Sequence, residues 1–105
     1  MPTDRLKQLF KFYEEDPNDP FNAYALALEY LKTDPGKSRE LFEALLTSHR
    51  DYLPTYYHAA QLYIALDDRD KAITVLEDGI ALARRLQEAK ALRELQTVYD
   101  ELLFE

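Results

Sequence analysis

The chain has 105 residues, 47% hydrophobic and 31% charged, which supplies apolar material for one domain-sized core and excludes the disordered class. It contains no cysteine, which excludes disulfides, thiolate zinc sites and thiol nucleophiles. Its net charge of −7 repels phosphate, and its only basic cluster, Arg84, Arg85, Lys90 and Arg93, is too small a footprint for nucleic acid or an anionic membrane surface.

The elements follow in chain order. From Thr3 to Glu15, Leu6, Leu9, Phe10 and Tyr13 recur at i, i+3, i+4 and i+7, the stripe of an amphipathic leading helix. Asp16-Pro17-Asn18-Asp19-Pro20 stops it, because each proline biases its predecessor out of the helical region. Asp19 then caps a second helix with Pro20 at its first position. That helix runs to about Lys32, with Phe21, Tyr24, Ala25, Leu28 and Leu31 as its main stripe.

Asp34-Pro35 repeats the cap-and-proline device and opens a third helix to about His49, carrying Leu41, Phe42, Leu45 and Leu46. After a linker from Arg50 to Leu53, Pro54 starts a fourth, with Tyr56, Ala59, Ala60, Tyr63 and Leu66 on one stripe. Asp67-Asp68 ends it and caps a fifth, carrying Ala72, Ile73, Leu76, Ile80 and Ala83. Around Arg85 to Glu88 the apolar phase shifts, and from Ala89 a sixth segment presents Leu92, Leu95, Tyr99 and Leu102. The pattern leaves open whether the fifth and sixth segments are separate. Gly79 interrupts the fifth at a cost of about 1 kcal/mol relative to alanine, which points to close helix packing at that place.

Phe21-x2-Tyr24-Ala25-x2-Leu28 aligns with Tyr56-x2-Ala59-Ala60-x2-Tyr63 at an offset of 35 residues, and Ser38-x3-Phe42 with Ala72-x3-Leu76 at 34. In this alignment the hairpin loop is longer in the first repeat, and Ala25 and Ala60 mark the closest approach of paired helices. A period near 34 with this order of large and small residues resembles the tetratricopeptide repeat family. Departures are Tyr24 and Ala59 in the leucine slot, Ser38 in an alanine slot, and Arg50 and Arg84 in the slots for the terminal proline. The resemblance implies an all-α fold of about six helices, in antiparallel hairpins stacked as a short right-handed superhelix. It implies a single domain made of a leading helix (3–15), two repeats (20–52 and 53–84) and a capping helix (89–103).

The function the resemblance implies is an adaptor or scaffold that holds a protein or peptide on its concave face. On the first helix of each hairpin that face carries Asn22, Leu26, Glu29 and Tyr30, then Tyr57, Gln61 and Ile64. Leu26, Tyr30, Tyr57 and Ile64 offer apolar anchors, and Glu29 with nearby Asp19 adds negative charge, so a segment mixing apolar and basic residues is complementary. The alternative for this face is structural cover by the sixth helix. Some family members clamp a partner's C-terminal carboxylate with lysine and asparagine, but no lysine or arginine joins Asn22 on this face, which disfavours that class.

Catalysis and metal binding find no constellation. His49 and His58 stand nine residues apart on different helices, and adjacent acids such as Glu77-Asp78 point about 100° apart on a helix and cannot flank one bond. The expectation is a protein without enzymatic activity or cofactor. No apolar run reaches 18 residues and no secretory pattern opens the sequence, so the expected compartment is the cytoplasm. The competing reading is a structural or self-associating module, a homodimer among its forms, using the apolar patch Leu102, Leu103 and Phe104.

Overall fold

The structure, a computed structural model, describes residues 3–104. The described residues form six helices and no strand: α1 (Asp4–Glu15), α2 (Pro20–Tyr30), α3 (Pro35–Ser48), α4 (Pro54–Ala65), α5 (Arg69–Arg85) and α6 (Ala89–Leu103). None of them is long and apolar enough to cross a membrane.

The helix starts follow from the capping residues. Thr3 Oγ1 accepts the Leu6 N–H at 3.0 Å, Asp19 Oδ1 the Phe21 N–H at 2.9 Å, and Asp34 Oδ1 the Lys37 N–H at 3.2 Å. Asp68 does the same for Lys71 at 3.4 Å. Each bond satisfies an amide that the helix itself leaves without a partner. Pro20, Pro35 and Pro54 stand in the first turn, where the missing N–H costs nothing.

By internal contacts the chain divides into two compact units, Met1–Tyr52 and Leu53–Glu105. In the first, α2 packs against both α1 and α3. Its core holds Leu6, Ala23, Leu26, Ala27, Phe42 and Leu45, with Ser38 fully buried among the polar residues. Ser38 Oγ donates to the Ala27 carbonyl at 2.7 Å, which ties the start of α3 to the last turn of α2.

In the second unit α5 packs against both α4 and α6, with a smaller contact between α4 and α6. Tyr56, Ala60, Ala72, Leu76, Ala83 and Leu95 are at most 5% exposed. Gly79 explains itself here: a Cβ on it would lie 2.8 Å from Tyr56 Cβ and 3.2 Å from Leu95 Cδ1, a space only hydrogen fits. At the far end, Arg69 donates to the Leu102 carbonyl at 3.2 Å and the Tyr99 hydroxyl to Glu77 Oε2 at 2.9 Å, so α6 is tied along α5.

The fifth and sixth segments are separate helices. Gln87 takes the left-handed conformation at φ 58°, with Gln87 N–H bonded to Arg84 O at 3.1 Å and Glu88 N–H to Ala83 O at 2.9 Å. The joint between α4 and α5 is built the same way: Asp67 at φ 60°, Asp67 N–H to Ile64 O at 3.0 Å, Asp68 N–H to Tyr63 O at 2.8 Å. Both are Schellman closures, which satisfy the last carbonyls of a helix and normally use glycine at the left-handed position.

Candidate partner-binding surfaces

The seven residues assigned to a binding face divide sharply by helix. On α2, Asn22 is half-buried and its Nδ2 donates to the carbonyls of Phe12 at 3.3 Å and Asp16 at 3.1 Å, closing the end of α1. Leu26 is 1% exposed and belongs to the core. Glu29, 9% exposed, is gripped by Arg5 Nε at 3.4 Å and Lys32 Nζ at 3.3 Å, so two cations compensate a carboxylate that has lost most of its water. Tyr30 is half-buried with Lys37 Nζ 5.4 Å from its ring centroid. These four side chains build unit 1. Leu26 and Glu29 keep almost no free surface, while Asn22 and Tyr30 stay partly exposed.

On α4 the assigned residues look outward more freely. Gln61 is exposed, and Tyr57 and Ile64 are half-buried. Tyr57 meets the neighbouring His58 ring edge-on, with centroids 5.4 Å apart. Burial lowers the His58 pKa below its ordinary 6.5, and the Glu94 carboxylate partly offsets that.

The difference between α2 and α4 is one of register. The Ser38–Ala27 hydrogen bond shows that the small residue at the closest approach in the first hairpin is Ala27, which is 0% exposed, whereas Ala25 is half-buried. Leu26-Ala27-x2-Tyr30 therefore matches Ala59-Ala60-x2-Tyr63 at an offset of 33 residues. This lies two residues from the expected pairing, and a two-residue slip turns a helix by about 200°. In the observed register the counterparts of Tyr57, Gln61 and Ile64 are Tyr24, Leu28 and Leu31, all half-buried, and Phe21 at the head of the strip is 53% exposed.

Around Tyr24 the first unit assembles a second aromatic and an acid. Tyr52 lies edge-on to it, with ring centroids 5.6 Å apart and planes at 64°. Burial raises the pKa of Tyr24 above 10.0, with Tyr52 adding to the effect. Burial likewise raises Tyr52, and the negative charge of Asp19 adds to it. Sequence reasoning passed over Tyr52 because it stands in a linker outside any helical period. Among the described residues no group of three or more His, Asp or Glu side chains is placed to hold a metal ion.

Comparison with known proteins gives one consistent result. The profile of the tetratricopeptide repeat family matches residues 30–95, from the end of α2 into α6. A solution NMR structure of a tetratricopeptide repeat domain protein from Salinibacter ruber superposes with a TM-score of 0.78 at 44% identity, over 83% of this chain and 89% of that one. A crystal structure of a tetratricopeptide repeat domain protein from the same organism gives 0.76 at 44% identity, over 80% and 94%. No curated protein matches the sequence. Such repeats generally serve as scaffolds for protein–protein interaction and not as enzymes. With the hairpins, the small-residue contacts and the profile in agreement, the chain belongs to the tetratricopeptide repeat family.

Proposed function

We propose that the chain is a protein-interaction module without catalytic activity, which binds a segment mixing apolar and basic residues on the first helix of each hairpin. The strip on α2 is Phe21, Tyr24, Leu28 and Leu31; the strip on α4 is Tyr57, Gln61 and Ile64. The observation that carries this reading is Phe21, a large aromatic left 53% exposed at the head of a helix whose other face is spent on the core. Tyr24 and Tyr52, half-buried and edge-on, provide rigid aromatic contact area at small entropic cost. With the negative charge of Asp19 acting on Tyr52, they favour a lysine or arginine of the partner through cation–π and charge attraction. Glu29, by contrast, is already neutralised by Arg5 and Lys32 and adds little to the pull on a basic ligand. The absence of cysteine suits work in the reducing cytoplasm.

Affinity capture from the source cell, comparing wild type with Phe21→Glu/Tyr24→Ser, tests the reading once circular dichroism has shown the variant to be folded. A partner held by the wild type and lost by the variant is the expected result. Retention of the same partner by both, or of none by either, would remove the α2 strip from the binding surface.

A further inference from the structure

An open cleft of about 560 Å³ lies within unit 1, between α1 and the junction of α2 with α3. Leu6, Phe10 and Tyr30 supply apolar walls, and Phe10 keeps 43% of its surface exposed there. Lys7 and Lys37 stand at its edge, both exposed, with the Lys37 ammonium 5.4 Å from the Tyr30 ring centroid. The acid in the lining, Asp34, already accepts the Lys37 N–H as a helix cap. In a chain of net charge −7, an apolar cleft edged by two ammonium groups is complementary to an apolar side chain flanked by carboxylates.

The chain itself carries that chemistry. Phe104 is 88% exposed, the barest large apolar side chain among the described residues, and Leu103 beside it is 42% exposed. Asp100 and Glu101, both exposed, lie on the turn of α6 just before it. Leu102 of the same segment is 4% exposed and held in unit 2, so the helix end that presents Phe104 is anchored. We propose that the cleft of one copy receives Phe104 of a second copy, with Asp100 and Glu101 approaching Lys7 and Lys37. Knob and cleft are different surfaces, so the contact is heterologous and joins copies head to tail. The net charge of −7 on each copy opposes association at long range, so this contact forms at high protein concentration and is weak when dilute.

Two variants make the test decisive. Phe104→Ser leaves the cleft intact and removes the knob; Lys7→Glu/Phe10→Glu leaves the knob and spoils the cleft. All three altered positions are exposed, and circular dichroism checks that both variants fold. Sedimentation velocity over a concentration series is expected to show wild-type mass rising with concentration. Each variant alone should remain monomeric, and their equimolar mixture should stop at a one-to-one dimer. A wild type that stays monomeric at every concentration overturns the proposal and leaves the cleft to a foreign acidic segment. Self-association untouched by Phe104→Ser overturns it in favour of another surface. Because Phe21 and Tyr24 are unaltered in both variants, failure here is distinct from failure of the α2 strip.

Discussion

The two units contain the same helical hairpin and close it with opposite distributions of bulk. In unit 2 the large member is on the first helix: Tyr56 packs onto Gly79 of the second. Carried back along the repeat, at 33 residues for the first helix and 34 for the second, the equivalent places in unit 1 hold Ala23 and Leu45, both buried. Total volume is kept while its owner changes, which is the tolerance a close-packed core allows when substitutions compensate. The joints differ as well. Unit 2 turns its helices with left-handed Asp67 and Gln87, while every described non-glycine residue of unit 1 keeps φ out of that region, and α2 passes into α3 through Asp34 N–H to Tyr30 O at 2.7 Å. One repeat pattern is thus met by two different local solutions.

Substitutions at the exchanged pair give the largest expected effects. Leu45→Ala should lower stability by about 2–5 kcal/mol, since unit 1 has only Ala23 at the matching place and nothing large to refill the space. Gly79→Ala should lower it by about 1–3 kcal/mol despite alanine's better helix propensity, because the new methyl meets Tyr56. In a Tyr56→Gly background, which removes both the Cβ and the Cγ that the new methyl meets, the same change should cost markedly less, and chemical denaturation of the four proteins of this cycle measures the coupling. An additive cycle would show that bulk is not exchanged between these positions.

Next in size is the joint. Gln87→Gly should raise stability by up to about 1 kcal/mol by relieving a side chain held at φ 58°, read as a higher Tm. A fall in Tm would mean that side-chain contacts of Gln87 outweigh its backbone strain.

The smallest effect is a pH dependence lodged in unit 2. The folded pKa of His58 lies below 6.5, so as pH falls through 6.5 the unfolded chain takes up a proton that the folded chain refuses, and stability declines. His58→Gln should flatten the fall in Tm over that window; parallel curves for the two proteins would place the pH response elsewhere.

Much of this architecture is legible because the chain marks its helix starts chemically. Asp19-Pro20 and Asp34-Pro35 combine a carboxylate that caps with a ring that fits the first turn, and Gly79 signals close packing where almost any other residue would stay silent. The face of α2 is not legible from periodicity, because from Phe21 to Leu31 apolar residues occupy nearly every position and no single stripe stands out. What turns the helix is tertiary: Ser38 of α3 reaching Ala27, and Arg5 of α1 reaching Glu29. A usable sign was present in Leu26-Ala27-x2-Tyr30, which puts leucine in the leucine slot where the other pairing puts Tyr24. The joint at Gln87 shows in sequence only as a phase shift, since glutamine has no preference for the left-handed region that would announce it.

Within each unit the packing runs almost wholly between helices adjacent in the chain: α1 on α2, α2 on α3, α4 on α5, α5 on α6. For folding kinetics this means that few residues separate the groups that must meet, so little loop entropy is lost before contacts form. Proteins of such low contact order fold in about microseconds to milliseconds. With no long segment waiting for a distant partner, the exposed apolar strips of the nascent helices are covered soon after they emerge, which limits the time available for aggregation.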